Sequence, residues 1–321
     1  MQLIVALAAE EAAGCQALRL LADRGHNVAA VFSDSRGSDK GATVTSIAEN
    51  LGIPVRPAAA VRDPALAAEL RAAGVEVLLN IHSLHIVDVE VLAAPRLGAY
   101  NLHPGPLPER AGLNAPSWAL YEGDKLHGVT LHRMTPGVDE GAIAFADRFE
   151  VGPRDTALKV TMQCVRRGLR LVERLLNQAE RGEPIPVHPQ DLAHRRWFGA
   201  GPPEGGRLDW QRPARQVADF VRACDYGPFP SPWRFPRCEV GGLEVAVAAA
   251  EALSKQTDAL PGTVEAGEGG DRLVAAADAW VRVDRIEVAG RQIAAAERLR
   301  PGERLHPARE ASQEGIDDRF G

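Results

Sequence analysis

The residues best suited to chemistry lie between Tyr100 and Asp139. Asn101 and His103 are two positions apart, so in a strand their side chains point to the same face, and Pro104 ends the pairing of that strand. The amide is a neutral hydrogen-bond donor and the imidazole titrates near neutral pH. Asp139, in the loop after the next predicted strand, is the usual kind of partner for an imidazole. The spacing predicts a polar site at the strand ends, although Asn101 and His103 could also simply cap the following turn.

Other chemistries lack the residues that they need. Ser117 and the four cysteines lie outside any nucleophile-elbow motif, which argues against covalent catalysis. The cysteines show no CxxC spacing, so the sequence predicts neither a zinc site nor a disulfide framework. The first predicted strand-to-helix turn contains Glu10 and Glu11 in place of a GxGxxG loop, which argues against dinucleotide binding there. An oxyanion donor, a proton carrier and a carboxylate remain, and these suit group transfer through a tetrahedral intermediate.

The remaining histidines of this half of the chain are interpreted as accessory. His82 and His85 follow a predicted strand, and His127 and His132 flank or occupy a later one. No His/Cys/Asp ligand pattern surrounds them, so structural or peripheral roles are favoured over metal binding.

The elements that must position the site alternate between strand and helix. Continuous apolar runs predict strands at 3–8, 28–32, 53–55, 75–81 and 97–102, with a polar loop at 33–41 and a helix from Asp63 to about Ala73. Such alternation favours an α/β fold with a mostly parallel, helix-covered sheet of the Rossmann-like kind. Two further strands flank the loop that contains Asp139, and a long helix follows over 155–180. Its basic stripe (Arg166, Arg167, Arg170 and Arg174) is interpreted as a solvated face, with acidic-ligand binding as the lesser alternative.

A change in composition predicts a second domain. Prolines and glycines accumulate over 181–206, and the segments beyond are short, partly alternating and separated by Gly/Asp turns. We expect a catalytic domain at 1–185, a linker at 186–206 and a smaller β-rich, OB-like domain at 207–321. Within the last domain, 280–283 and 286–288 are predicted as separate strands.

Composition narrows the class of protein. Of the 321 residues, 45% are hydrophobic and 25% charged, as in ordinary globular proteins, and the net charge of −6 argues against a generally basic surface for nucleic acid. No apolar run approaches the roughly 18 residues that span a bilayer. The run at 3–8 lacks a basic flank and is interpreted as a buried strand, not as a signal peptide. We therefore expect a soluble, cytoplasmic protein without a membrane partner.

Several ordered motifs together resemble the 10-formyltetrahydrofolate-dependent formyltransferases. They are Asn101-Leu-His103-Pro104, Leu107-Pro108 with Gly112 four residues on, the 115–120 segment, and Gly128-Val-Thr130 running to Asp139-Glu-Gly141. The β-rich tail, with motifs at 261–264 and 299–304, is also similar to the C-terminal OB-like domain of that family. The resemblance covers nearly the whole chain.

The resemblance implies 10-formyltetrahydrofolate as donor and roles for three residues. Asn101 and protonated His103 would stabilise the oxyanion, and Asp139 would hold and tune His103 and help to move the proton of the attacking amine, through water where needed. No metal is implied. The donor would contact backbone groups of two segments (Leu84, His85, Ile86 and Val87; Val138, Glu140, Gly141 and Ala142). The acceptor would contact residues of the loop after His103 (Pro104, Gly105, Arg110, Gly112 and Asn114).

The acceptor is the least determined part. Many relatives, including the tRNA enzymes, carry an Arg-Gly pair where this chain has Ala111-Gly112, and together with the negative net charge this argues against tRNA. We expect an amine or hydroxylamine of an amino-acid-derived acceptor in secondary metabolism, such as siderophore or peptide biosynthesis, free or tethered to a carrier protein. The alternatives are a nucleotide-linked amino sugar and then methionyl-tRNA. From other classes, an inactive homologue and a hydrolase of the donor stay open.

Overall fold

A computed structural model describes residues 1–35 and 41–308 of the chain. The strands of the first part are β1 Ile4–Ala9, β2 Asn27–Phe32, β3 Val55–Arg56, β4 Val77–Ile81, β5 Gly98–His103, β6 Ala111–Gly112, β7 Leu126–Arg133, β8 Ile143–Glu150 and β9 Trp197–Phe198. The α-helices are α1 Glu11–Asp23, α2 Val44–Asn50, α3 Leu66–Ala72, α4 Val89–Leu92, α5 Ala115–Tyr121, α6 Ala157–Glu180, α7 Ala214–Ala223 and α8 Ala295–Arg298. Short 3-10 turns occur at Ala58–Arg62, Leu192–His194, Pro203–Gly206 and Glu268–Gly270.

The chain divides into two compact units. The first comprises Met1–Ala115, Leu126–Glu150 and Thr161–Phe198, and the second comprises Pro116–Lys125, Val151–Val160 and the described residues from Gly199 on. The predicted linker at 186–206 is thus partly within the first unit, up to Phe198. Within the described residues, no helix has the length and apolar character needed to cross a bilayer.

The first unit is built on a seven-stranded sheet in the order β3-β2-β1-β4-β5-β7-β8. The strands from β3 to β5 pair in parallel, while β7 runs antiparallel to β5 and to β8. Every residue of β4 is buried and β1 is buried from its second residue on, which explains why both are continuous apolar runs. The expected mostly parallel sheet is confirmed.

One predicted helix of this unit begins later than expected. The helix expected from Asp63 to about Ala73 is α3, which begins at Leu66 and ends at Ala72. Asp63 is extended (φ −86°, ψ 116°) because Pro64 follows it, and its Oδ1 accepts from Ala65 N at 2.9 Å. Part of the polar loop expected at 33–41 lies outside the described residues.

The second unit contains an antiparallel sheet in the order β12-β13-β14-β11-β10-β16, with β15 also paired to β14. Its strands are β10 Arg237–Val240, β11 Leu243–Gln256, β12 Val264–Ala266, β13 Arg272–Ala275, β14 Ala279–Val288, β15 Arg291–Ala294 and β16 Leu305–Pro307. The β-rich character is confirmed. The two strands expected at 280–283 and 286–288 are the single strand β14, because Arg285 in the expected break pairs with Ala249 of β11 and with Ala294 of β15.

Candidate active site

The pairing of β5 with β7 brings an amide and an imidazole together. Asn101 lies opposite His132 in the register of these antiparallel strands, and its Nδ2 is 3.1 Å from His132 Nε2. The other ring nitrogen, Nδ1, lies 3.0 Å from the Arg133 carbonyl and donates to it. His132 is almost fully buried. The ring is therefore fixed at both edges and faces the same side of the sheet as Asn101.

Asp139 lies between two imidazoles. Its Oδ2 is 3.5 Å from His103 Nδ1, and its Oδ1 is 3.3 Å from His132 Nε2. The Gly112 N–H donates to Oδ2 at 2.9 Å. Burial by itself raises the pKa of Asp139, but the His103 ring, the contact with His132 and the Gly112 N–H outweigh it and hold this pKa well below its usual range. The carboxylate is thus ionised and faces both rings. The proximity of Asp139 to His103 is what the predicted polar site requires.

His103 is also buried, and its proton can be assigned. Nε2 lies 2.6 Å from the Arg110 carbonyl, an acceptor, so this nitrogen carries the hydrogen. Burial lowers the pKa of His103 below its usual value, and the Asp139 charge and the Arg110 carbonyl offset this only in part. The lowered pKa favours the neutral ring, whereas the Asp139 carboxylate beside Nδ1 favours the protonated ring expected from the resemblance, and Nε2–H is a donor in either state.

Two glycines allow the close approaches around Asp139. Gly112 has a φ of +97°, and a Cβ at this position would lie 2.2 Å from the Phe198 carbonyl oxygen. Gly141 approaches the backbone of Arg133, whose carbonyl carbon would be 2.8 Å from an added Cβ. Asp139 itself has a φ of +58°, a left-handed conformation that is unusual for a residue other than glycine. The loop that carries this carboxylate therefore depends on contacts with neighbouring residues to keep its backbone conformation.

A segment that we call the strap, residues 190–198, contacts this loop. Gln190 Nε2 donates to the carbonyls of Asp139 (2.9 Å) and Gly141 (2.7 Å), and Arg195 donates to the Val138 carbonyl at 3.1 Å. Its end, β9, pairs in parallel with β6. This segment was expected to be part of a linker, whereas in the structure it contacts the loop that carries Asp139.

The residues predicted to bind the donor lie on two loops of the first unit. Leu84, Ile86 and Val138 are exposed by 57%, 62% and 42%, whereas Val87 is buried in the core. His85 Nε2 lies 3.6 Å from Asp34 Oδ2. Of the second segment, Glu140 pairs with Arg195, and Gly141 and Ala142 follow it before β8. Exposed apolar side chains beside backbone groups suit a flat, partly apolar ligand.

The residues predicted to bind the acceptor line the loop after β5. The Pro104 carbonyl lies 3.0 Å from His127 Nε2, and Gly105 leaves room for the His103 ring, since an added Cβ would lie 2.9 Å from Nε2. Arg110 is buried with its guanidinium 4.8 Å from the centre of the Phe198 ring. Asn114 adopts a φ of +55° just before α5. Arg110 thus contributes its backbone carbonyl to the site and its side chain to packing.

The other histidines separate into two groups. Burial lowers the pKa of His127 to about 4, and its ring packs edge-on against Phe149, so the structural role expected for it fits. His132 does not fit the structural or peripheral role expected for it, because it contacts both Asn101 and Asp139. Thr130 and His132 are two residues apart on β7, so their side chains point to the same face of the sheet. This spacing is the signal that could have placed His132 on the same face as Asn101. Nothing in the sequence marked Gln190 or the Gly112 N–H.

Within residues 1–35 and 41–308, no group of three or more His, Cys, Asp or Glu side chains has the arrangement of a metal site. The polar cluster can hold and move protons and donate hydrogen bonds to a developing negative charge. These are the requirements of acyl or formyl transfer without a covalent enzyme intermediate.

Comparison with known proteins agrees with this chemistry. The family models for formyl transferase and for the formyl transferase C-terminal domain match residues 1–173 and 202–303. A methionyl-tRNA formyltransferase from Phenylobacterium zucineum (strain HLK1) is 33% identical over 236 residues, which cover 72% of this chain and 76% of that protein.

Two solved structures share the fold. One is WlaRD, a sugar 3N-formyl transferase in the presence of dTDP and 5-N-formyl-THF, with a TM-score of 0.68 at 13% identity over 88% of this chain and 97% of that chain. The other is HypX from Aquifex aeolicus in complex with tetrahydrofolic acid, with a TM-score of 0.63 at 20% identity over 92% of this chain and 46% of that chain. This chain therefore spans slightly less than half of HypX.

The expected enzyme class, a formyltransferase, is confirmed by the family match and by the 33% identical relative. Both parts of the family model occur in order and together cover most of the sequence. The chain belongs to the formyl transferase family.

Proposed function

We propose that this enzyme transfers the formyl group of 10-formyltetrahydrofolate to the amine or hydroxylamine nitrogen of an amino-acid-derived acceptor, free or tethered to a carrier protein. The observation that supports the chemistry is the buried cluster in which Asp139 faces His103 at 3.5 Å and His132 at 3.3 Å, with Asn101 beside them. The choice of acceptor depends on a different position, Ala111.

In the proposed reaction the acceptor nitrogen attacks the formyl carbon, and the electron pair of the carbonyl bond moves to the formyl oxygen. The bond between the formyl carbon and N10 of the folate then breaks, and the proton lost by the acceptor nitrogen ends on N10. The products are a formamide and tetrahydrofolate. The protein has to stabilise the oxygen anion and carry one proton.

Asn101 Nδ2 and His103 Nε2 are the proposed donors to the formyl oxygen. His103 Nε2 now donates to the Arg110 carbonyl, so this role requires the formyl oxygen to take the place of that carbonyl. Asp139 is the proposed proton acceptor for the attacking nitrogen, directly or through water. Its low pKa keeps it ionised at neutral pH but makes it a weak base, so it accepts the proton after the attack, when the nitrogen bears a positive charge and is acidic.

The donor fits the loops that the resemblance assigned to it. Exposed Leu84 and Ile86 would cover apolar parts of the pterin, and the backbone of the Val138–Ala142 loop would supply donors and acceptors to its ring edge. We propose these roles on the basis of the exposure and position of the two loops beside the buried cluster.

Ala111 supports the choice of a small or carrier-bound acceptor. Related tRNA enzymes resemble this chain in the motif but carry arginine at this position, whereas Ala111 is fully buried in β6 and pairs with Trp197 of β9. A buried methyl group offers no charge to phosphate. The net charge of −6 points the same way.

Methionyl-tRNA is the second candidate, because a methionyl-tRNA formyltransferase is 33% identical to this chain over 236 residues. Relatives can retain a catalytic cluster and differ in acceptor, since acceptor choice depends on the loops around the cluster. The two candidates therefore require a direct test.

The test is a panel of acceptors incubated with enzyme and 10-formyltetrahydrofolate and scored by mass spectrometry for a formyl addition. The panel contains N-hydroxyornithine, carrier-bound aminoacyl thioesters, a nucleotide-linked amino sugar and methionyl-tRNA. We expect formylation of an amino-acid-derived amine. Preferential formylation of methionyl-tRNA would overturn the proposed acceptor, and turnover of the donor with no acceptor present would instead indicate a hydrolase.

A further inference from the structure

The loop that carries Asp139 is held by one side chain at two places. Gln190 Nε2 donates to the Asp139 carbonyl at 2.9 Å and to the Gly141 carbonyl at 2.7 Å. A side-chain amide has two N–H groups, so both are used here. The two carbonyls belong to residues on either side of Glu140, and one donor group therefore fixes the curvature of the loop.

That curvature requires a holding group. Asp139 has a φ of +58°, a conformation that costs a residue other than glycine free energy and persists only where surrounding contacts impose it. The Asp139 side chain must nevertheless meet His103, His132 and the Gly112 N–H at once. A small change at the Asp139 backbone would move the carboxylate away from all three.

The amide orientation of Gln190 is determined by its partners. Both neighbouring atoms are carbonyl oxygens, so only the NH2 group can face them, and the Oε1 atom points elsewhere, buried and without a hydrogen-bond partner among the described residues. Such a buried unpaired oxygen has a free-energy cost. The Gln190 side chain thus makes both hydrogen bonds to the loop and leaves its own Oε1 atom without one.

We propose that Gln190 is a positioning residue for formyl transfer, which holds the Asp139 loop in the left-handed form that directs its carboxylate to His103 and His132. Gln190 touches no reacting atom and acts through Asp139. The inference rests on the proposed role of Asp139 and extends the site to a segment outside the part of the chain matched by the formyl transferase model, which ends at residue 173.

The kinetic test compares Gln190→Leu, which keeps the size of the side chain and removes both donors, with Gln178→Leu as a matched control on α6. The substrates are 10-formyltetrahydrofolate and whichever acceptor of the panel is formylated. We expect kcat to fall about 10-fold for Gln190→Leu, from the loss of two hydrogen bonds, with little change in the KM of the donor. The control variant should retain the activity of the unmodified enzyme.

A double-mutant cycle with Asp139→Asn separates positioning from a general structural effect. If Gln190 acts through Asp139, Gln190→Leu should cost little further activity once Asp139 is replaced. Losses that multiply would overturn the proposal. Full activity of Gln190→Leu beside an inactive Asp139→Asn would overturn the positioning role alone, and full activity of Asp139→Asn would instead refute the proposed mechanism.

A measurement without acceptor completes the test. NMR titration of the His103 ring reports on the Asp139 charge, which raises the pKa of that ring. Besides Asp139, the titratable groups that act on the His103 ring are His132 and His82, and His103 in turn acts on His127. We expect a lower His103 pKa in Gln190→Leu; an unchanged value contradicts the proposal. If Gln190→Leu does not fold, Gln190→Met keeps the length of the side chain without a charge, loses both donors and provides the same comparison.

Discussion

Two halves of the candidate site are built in different ways. Asn101 and His132 face each other because two hydrogen-bonded strands carry them in register. Asp139 reaches the same place from a loop whose shape depends on Gly112, Gln190 and the close packing of Gly141. A strand places its side chains by its regular backbone geometry, whereas a loop needs specific contacts to hold its backbone dihedral angles. We therefore expect the strand half to tolerate change in its surroundings better than the loop half.

The largest expected effect comes from the ring that lies between the halves. His103→Ala removes the proposed donor to the formyl oxygen, and we expect turnover to fall about 100-fold or more. His306→Ala, which removes an exposed histidine of β16 in the second unit, is the matched control and should be nearly neutral. Initial rates and thermal unfolding of both variants check the prediction. Near-normal turnover by folded His103→Ala would refute the proposed oxyanion donor.

A smaller effect is expected where the two halves meet. His132→Phe keeps an aromatic ring on β7 and removes the contacts with Asn101 and Asp139. We expect kcat to fall about 10-fold, in the range for lost hydrogen bonds to a charged group. Replacement without kinetic effect would show that Asp139 is held by the loop contacts alone, and would place His132 among the structural histidines after all.

The smallest expected effect is a pH dependence that is nearly absent. Burial lowers the pKa of His103 below its usual value, so a ring that had to be protonated would lose activity as the pH rises through that lowered pKa. Between pH 7 and 8.5 the loss would be about 30-fold, since each pH unit changes the protonated fraction about tenfold. With neutral His103 as donor we expect less than about a twofold fall over this range, once ionisation of the acceptor is allowed for. The kcat profile decides between the two.

The same division explains how much the sequence could predict. Apolar runs and their alternation identified the parallel sheet, and the two-residue spacing of Asn101 and His103 identified the strand half of the site. The later start of α3 depended on Pro64, and the continuity of β14 depended on its pairing with β11 and β15, so periodicity could not resolve them. Gln190 lies 51 residues from Asp139. No local pattern records a contact at that distance, and the strap was interpreted as a linker for this reason.

The strap also determines at what point in the synthesis of the chain the active site can be assembled. During synthesis β5 and β7 emerge early, and the residues that bear Asn101, His103, His132 and Asp139 are all present by residue 150. A chain interrupted at residue 173, where the first family match ends, would contain every proposed catalytic side chain but not the amide that holds one of them. A fragment of that length is therefore a poor substitute for the enzyme, and the active site is finished by sequence that lies beyond it.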